Sequence, residues 1–198
     1  MRLFVAVVPP PLAIDDLDDF LSVRREAREA AGFRWTSPDA WHLTLAFCER
    51  VAERNYDDFV ERLGVAAAKR SPFETAITGG GAFPDVSRGK VLWAGLSVED
   101  GAREELDHLV TGTRNAAATS GIEVDGTRFR PHLTLARFGR PLELTRWVRL
   151  LEAYHGPYWT ADEITLVESH LGEGPHHRPR YEIRDTFPLG AERQPATP

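Results

Sequence analysis

Two copies of one tetrapeptide, His-Leu-Thr-Leu, are the residues of this chain best suited to chemistry. They lie at His42 to Leu45 and at His132 to Leu135, so the two histidines are 90 positions apart (132 − 42). Both copies are typical of β-strands, in which alternate side chains share a face, so each His and Thr should point one way and the leucines the other. One copy alone would be an ordinary amphipathic strand. Two copies at equivalent places of a repeated pattern indicate one shared site.

If the two polar faces meet across a cleft, two imidazoles and two hydroxyls converge on a small volume that suits a tetrahedral anion. Phosphodiester cleavage needs a base for the attacking oxygen, an acid for the leaving oxygen and donors for the non-bridging oxygens. His42 and His132 would supply proton transfer, and Thr44 and Thr134 the hydroxyl donors. The unperturbed pKa of histidine, about 6.5, lets one ring be neutral while the other is protonated near neutral pH. The sequence therefore predicts a metal-independent phosphodiesterase that uses no cofactor.

Composition limits the class of protein. With 198 residues, 42% of them hydrophobic, the chain can bury one substantial core. Cys48 is its one cysteine, which excludes an internal disulfide and a Cys-based zinc or iron–sulfur site and is typical of the cytoplasm. A net charge of −6 argues against coating nucleic acid. No apolar run approaches the ~18 residues of a membrane helix, so we expect a cytoplasmic monomer without a membrane partner.

The order of predicted elements repeats along the chain. We expect one α+β domain over residues 1–198, built from duplicated halves at 1–85 and 86–188, with a tail at 189–198. Its bilobed fold would place two antiparallel sheets, flanked by helices, around a central cleft. The predicted strands are at 3–8, 41–47, 73–78, 91–96, 129–138, 163–168 and 181–187, and the predicted helices at 12–30, 53–69, 102–118 and 142–154.

Further short segments, in chain order, carry a family resemblance beyond the two motifs. They are Arg2 to Val7, Arg34-Trp35, Gly81 to Pro84, Lys90 to Trp93, Phe129 to Arg137, Ser169 to Leu171 and Tyr181-Glu182. Taken together, the chain resembles the two-histidine phosphoesterases, specifically the bacterial and archaeal RNA 2',3'-cyclic phosphodiesterases first described as 2'-5' RNA ligases.

The resemblance implies hydrolysis of a terminal 2',3'-cyclic phosphate on RNA to a 2'-phosphomonoester. It assigns the proton donor to His42, which would protonate the departing 3'-oxygen, and the acceptor to His132, which would deprotonate water. Thr44 and Thr134 would hydrogen-bond the phosphoryl oxygens. The implied partner is an RNA with a 2',3'-cyclic phosphate end.

Three more residues are candidates for substrate binding. Arg137, three residues after Thr134, matches the family's second motif and could contact phosphate, or could pair with a surface acid instead. Arg130 belongs to an arginine-rich stretch, residues 128–149, in which Glu143 is the one acidic residue. Phe47 could stack a nucleobase, although packing in the core is the alternative.

Departures from the family keep other substrates open. The family's first motif usually continues with a basic residue, Phe, Leu and Gly, whereas here Ala46 and Glu49 replace the basic residue and the glycine. With the acidic net charge, this favours as an alternative a small cyclic nucleotide or ADP-ribose cyclic phosphate. A third possibility, from another class, is a non-catalytic RNA-end-binding protein.

Two other clusters invite functional interpretations that we do not adopt. His170, His176 and His177 have no carboxylate or cysteine at motif spacing, so we predict a surface loop and no metal site. The glycines at 79–81 lack the residues of a phosphate-binding loop and are predicted to form a turn.

Overall fold

The computed structural model describes residues 1–26, 32–174 and 178–190, and within these ranges it contains four α-helices and nine β-strands. No helix in the described part of the chain is long and apolar enough to cross a membrane. The helices are α1 (Pro11–Arg25), α2 (Tyr56–Ala68), α3 (Asp100–Thr119) and α4 (Thr145–Glu152). The strands are β1 (Leu3–Val7), β2 (Arg34–Trp35), β3 (Leu43–Cys48), β4 (Phe73–Phe83), β5 (Gly89–Ser97), β6 (Leu133–Leu142), β7 (His155–Ala161), β8 (Glu163–His170) and β9 (Arg180–Pro188).

All nine strands pair antiparallel in a single sheet of order β7-β4-β5-β6-β3-β1-β8-β9, with β2 beside β6. The two motif strands, β3 and β6, meet at the centre through the pair Leu43 and Leu133. We call β3, β1, β8 and β9 the first wing, and β6, β5, β4 and β7 the second wing. The predicted α+β fold of antiparallel strands and helices is confirmed. The two sheets that the sequence predicts form one continuous sheet, because the motif strands pair with each other.

Each wing is built from strands of both halves of the sequence. β4, from the first half of the chain, pairs with β5 in the second wing, and β8, from the second half, pairs with β1 in the first wing. Neither half of the sequence therefore contains a complete wing by itself.

Each wing has its own hydrophobic core. Helices α2 and α3 cover the first wing, where Leu43 and Leu45 are buried with Phe59 of α2. Helices α1 and α4 cover the second wing, where Leu133 and Leu135 are buried. The motif leucines thus face the core as the strand alternation predicts, which leaves the opposite face of the sheet centre to the motif His and Thr residues.

The predicted turn at residues 79–81 is wrong, because these glycines continue β4. Gly79 has a φ of 66°, and the register between β4 and β5 shifts at this place, as in a β-bulge. A side chain at Gly81 would overlap the indole of Trp93, and one at Gly80 would lie 2.7 Å from the Trp93 carbonyl oxygen. Glycine is needed here because another part of the chain lies directly against the strand.

Candidate active site

Each motif strand carries a β-bulge at its second leucine, Leu45 in β3 and Leu135 in β6. The register of β3 on β1 shifts by one residue at Leu45, and the register of β6 on β5 shifts in the same way at Leu135. One extra residue reverses the alternation of side chains, so the third residue after each threonine returns to the threonine's face. These residues are Phe47 and Arg137, which explains how they join the motif residues on one side of the sheet.

Both motif histidines are held by the same kind of hydrogen bond. The Nδ1 atom of His42 donates to the Ala40 carbonyl at 2.8 Å, and that of His132 donates to the Arg130 carbonyl at 2.7 Å. Since a carbonyl oxygen can only accept, the neutral form of each ring carries its proton on Nδ1. This leaves Nε2 of each ring as the atom able to accept or donate a proton in the site.

His42 lies between two aromatic rings. It stacks on Phe4 with ring centroids 4.5 Å apart and planes 20° apart, and the edge of Tyr181 meets it at 5.5 Å. Burial, as the main cause, and the nearby charges of His132 and Arg137 together lower the pKa of His42 to about 4, against the opposing effect of the Ala40 hydrogen bond. His42 is therefore neutral at neutral pH in the free protein.

His132 has a more open setting. Phe83 and Trp93 approach its ring at 5.0 and 6.1 Å, both at steep angles rather than stacked on it. Burial also lowers the pKa of His132, and the Arg137 charge lowers it further. The two histidines repel each other's protonation, as expected for two groups that share one small site.

A cavity of about 320 Å³ lies beside His42. Thr44, Phe47 and Arg137 line it together with His42, so four of the predicted site residues are brought to one place. Thr134 lies on the adjoining strand β6, where it is partly exposed, and His132 immediately precedes the first residue of that strand. The side chain of Arg130 is exposed and is not among the described residues that line this cavity. Its contribution to the geometry is the carbonyl that holds His132.

This arrangement agrees with comparisons to known proteins. The family model for LigT-like phosphoesterases matches residues 8–93 and 96–177, with one His-x-Thr motif in each segment. The chain belongs to the LigT-like phosphoesterases. The predicted kinship with two-histidine phosphoesterases is thereby confirmed.

Relatives of this LigT-like chain are named RNA 2',3'-cyclic phosphodiesterases. The Archaeoglobus fulgidus protein is 31% identical over 71% of this chain and 74% of its own length. The Thermus thermophilus protein is 26% identical over 97% of this chain and 92% of its own length. The Geobacillus stearothermophilus protein is 29% identical over 94% of this chain, but the chain spans 56% of that relative's length.

Solved structures have the same fold. A crystal structure of a Thermus thermophilus protein matches with a TM-score of 0.73 and 25% identity, over 98% of this chain and 100% of that one. Escherichia coli LigT in its apo form matches with a TM-score of 0.74 and 23% identity, over 96% of this chain and 98% of that one.

The LigT-like site also contains residues that sequence reasoning did not assign. Arg2, Phe4, Ser169 and Tyr181 line the cavity beside His42, and the Arg2 guanidinium lies over the Phe47 ring at 4.9 Å. These residues stand near the two ends of the chain, far from either motif. The only signal for them in the sequence was their place in the segments that carry the family resemblance.

Two residues that departed from the family pattern lie away from the site. Ala46 is 1% exposed and packs in the first-wing core, and Glu49 is exposed beyond the end of β3. The absence of a basic residue at position 46 therefore removes no charge from the cavity. His170, by contrast, belongs to a charged network on β8 and β9, in which its Nε2 lies 3.2 Å from Glu182.

Of the three histidines considered as a metal site, positions 176 and 177 lie outside the described residues. Within the part of the chain that the structure describes, no group of three or more His, Cys, Asp or Glu side chains is arranged to hold a metal ion.

Proposed function

We propose that this LigT-like phosphoesterase hydrolyses the 2',3'-cyclic phosphate at the end of an RNA to a 2'-phosphomonoester. The observation that carries the proposal is the pairing of Leu43 with Leu133, which sets the two His-x-Thr motifs side by side. Each motif offers an imidazole Nε2 beside a threonine on one face. The relatives named RNA 2',3'-cyclic phosphodiesterases support the choice of substrate.

In the proposed reaction, Nε2 of His132 takes a proton from water as the water oxygen attacks phosphorus. The bond from phosphorus to the 3'-oxygen breaks, and that oxygen takes the proton from Nε2 of His42. The 2'-oxygen keeps the phosphoryl group, so the product is a 2'-phosphomonoester. The proton gained by His132 and the one lost by His42 exchange with solvent before the next turnover.

The low pKa of His42 sets a condition on this assignment. A ring that is neutral in the free protein can donate only if the bound substrate first raises its pKa. A cyclic phosphodiester carries one negative charge, and an anion close to a histidine favours the protonated ring. We infer that substrate binding and protonation of His42 are coupled, so that the acid forms where the phosphate is bound.

Thr44, Thr134 and Arg137 are the proposed partners of the non-bridging oxygens. Hydroxyl donors and a guanidinium placed before the reaction stabilise charge that develops in the transition state. No step of this scheme uses a metal or a cofactor. Phe47, next to the Arg2 guanidinium at the cavity wall, is the proposed contact for the terminal base.

We also infer that the fold arose by duplication of halves 1–85 and 86–188. The halves share the order strand, helix, motif strand, helix, strand, to which the first half adds β2 before its motif strand and the second half adds β8 and β9 at its end. The bulges at Leu45 and Leu135 lie at the same place in the motif. A cytoplasmic monomer remains our expectation for this single bilobed domain.

The test is to incubate EDTA-treated protein with an RNA oligomer that ends in a 2',3'-cyclic phosphate and to identify the phosphomonoester formed. We expect the 2'-phosphomonoester. A 3'-phosphate would contradict the assigned leaving group, and loss of activity on EDTA treatment would contradict the metal-free mechanism. Binding without turnover would favour the non-catalytic RNA-end binder.

A parallel incubation with 2',3'-cyclic mononucleotides and ADP-ribose cyclic phosphate tests the alternative substrates. The burial of Ala46 weakens the argument for a small substrate, because that argument depended on a charge missing from the site. Faster turnover of these small molecules than of the RNA would nevertheless replace the RNA assignment.

A further inference from the structure

A second cavity, of about 630 Å³, adjoins the cavity beside His42. The two cavities share Arg137, Pro179 and Tyr181 as lining residues. The second one continues past Ala40, whose carbonyl holds His42, to Arg34 and Trp35 on β2. Its volume lies within the roughly 300–1,000 Å³ of ligand-binding pockets. We call it the arginine cavity.

Positive charge predominates in the lining of the arginine cavity, although the protein as a whole is acidic. Its cationic lining residues are Arg34, Arg137, Arg178 and Arg180. Its acidic lining residues are Asp39 and Glu173, and Glu173 already pairs with Arg180 at 2.8 Å. The described lining residues thus have an excess of two positive charges (4 − 2), in a chain whose net charge is −6.

Two of these arginines face each other directly. Arg34 of β2 and Arg137 of β6 are register partners across the antiparallel pair. Like charges directly opposite each other destabilise a sheet. In the described ranges, neither residue has a carboxylate within ion-pair distance. An anion bound between the two guanidinium groups would offset this repulsion, and arginine is well suited to phosphate.

An aromatic side chain completes the arginine cavity. Tyr181, which is 39% exposed, stands at the boundary with the cavity beside His42, whereas the indole of Trp35 packs against Phe33 and Trp147 in the second-wing core. Single-stranded RNA is bound by stacking its bases on aromatic rings and arginine planes while basic residues follow the backbone. One nucleotide therefore finds both kinds of partner within this cavity.

We propose that the arginine cavity binds the penultimate nucleotide of the RNA, which precedes the nucleotide that carries the cyclic phosphate. The phosphodiester that joins these two nucleotides would lie between Arg34 and Arg137, and the penultimate base against Tyr181. This inference rests on the proposed function and defines its substrate class as oligonucleotides rather than free cyclic nucleotides. Arg137 stands between the two cavities and can contact both phosphates, because a guanidinium has five donors.

The test compares three substrates: a 2',3'-cyclic mononucleotide, a trinucleotide with the same end, and that trinucleotide with an uncharged methylphosphonate as its last internucleotide linkage. The wild type should have a kcat/KM about tenfold higher for the normal trinucleotide than for either other substrate, the expected value of a charge-assisted contact. In Arg34→Gln, the ratio of trinucleotide to mononucleotide should fall several-fold, and the advantage of the normal over the methylphosphonate trinucleotide should shrink to the part that Arg137 supplies.

Two variants serve as controls. Arg34→Lys keeps the charge and should retain part of the preference. Arg140→Gln removes an exposed arginine from the same strand as Arg137, outside the described lining of either cavity, and should leave all ratios unchanged. Equal use of the charged and methylphosphonate linkages by the wild type, or an unchanged ratio in Arg34→Gln, would overturn the arginine cavity as a nucleotide subsite.

A binding measurement separates this inference from the proposed function. Fluorescence anisotropy with the 2'-phosphorylated trinucleotide and its methylphosphonate counterpart needs no turnover. About tenfold weaker binding of the methylphosphonate by the wild type, with a clearly smaller difference in Arg34→Gln, supports the subsite even if no substrate is hydrolysed. Equal binding by the wild type overturns the subsite even if both RNA and mononucleotide are hydrolysed.

Discussion

The two halves of the catalytic cleft share a backbone and differ in their side-chain surroundings. On both sides a His-x-Thr strand carries a bulge at the second leucine, and on both sides histidine Nδ1 donates to the carbonyl two residues earlier. His42, however, stacks on Phe4, whereas the rings near His132 meet it at an angle. Equivalent backbones therefore place the two histidines in different aromatic surroundings.

The position three residues after each threonine differs more sharply. On the first side it is Phe47, under the guanidinium of Arg2, and on the second side it is Arg137. Phe47 and Arg137 line the same cavity, so the site has an aromatic wall and a cationic wall at corresponding places. The comparison teaches that a symmetric backbone can give two corresponding positions different surroundings, on which the proposed division into acid and base, and into base stacking and phosphate binding, depends.

The largest predicted effect comes from removing either histidine. His42→Ala and His132→Ala should each lower kcat on RNA 2',3'-cyclic phosphate about a thousandfold, within the usual range for a general acid or base. His108→Ala, on the exposed face of α3, is the control and should have no effect. Full turnover by either active-site variant would remove that histidine from the mechanism.

Removing either threonine hydroxyl should have the next largest effect on kcat, and the two effects should be equal. Thr44→Val and Thr134→Val keep the side-chain shape but remove the hydroxyl donor, so each should lower kcat about a hundredfold. Thr→Ser at either position should retain most of the activity. A loss confined to one of the two threonines would mean that only one side of the cleft contacts the phosphoryl oxygens.

Substitutions at the cationic wall and at the aromatic wall should change different kinetic parameters. Arg137→Gln should lower kcat/KM about tenfold for a cyclic mononucleotide, because it removes a charged contact to the reacting phosphate, and by a larger factor for RNA, which also loses a contact to its preceding phosphodiester. Phe47→Leu should raise KM only a few-fold, with kcat retained, as expected for loss of base stacking. Equal effects of the two substitutions would contradict this division of the site.

The smallest effect concerns stability. The pKa of His42, about 4, is below the ordinary value of about 6.5 that it regains on unfolding. The unfolded chain therefore binds more protons as the pH falls from about 6.5 towards 4, and stability decreases over that range. We expect about 1 kcal/mol of pH-dependent loss from His42 between pH 7 and about pH 5.5, or about 3 °C in Tm.

In His42→Gln, thermal unfolding should depend less on pH over this interval, whereas in His132→Gln the pH dependence should change less. Identical slopes in wild type and His42→Gln would mean that the aromatic neighbours do not hold His42 neutral.

Local pattern was enough to predict the motif strands and the core-facing leucines. Alternation within a strand depends on neighbouring residues only, so His42 and Thr44 could be placed on one face from their spacing alone. The family resemblance added Arg137, and the structure places it beside them. The bulges could not be seen, because Leu45 and Leu135 look like any other buried strand leucine; without them, Arg137 would point into the core.

Long-range pairing accounts for what the sequence could not predict. Nothing local in β4 or β8 indicates that each strand pairs within the other half's wing. Strand β7 was missed because Gly156 and Pro157 break its β pattern, although it pairs along the edge of β4. The sequence predicts a turn at the glycines of β4, whereas glycine is needed there because Trp93 of the neighbouring strand leaves no room for a side chain.

The central claim is that His42 acts as the acid and His132 as the base, and a substrate whose leaving 3'-oxygen is replaced by sulfur tests it most directly. A thiolate is a far weaker base than an alkoxide, with a thiol pKa of about 8.5, so its departure needs no proton donor. We predict that this 3'-sulfur substrate restores His42→Ala to within about tenfold of the wild type and leaves His132→Ala inactive. Restoration of His132→Ala instead, or of neither variant, would contradict the account.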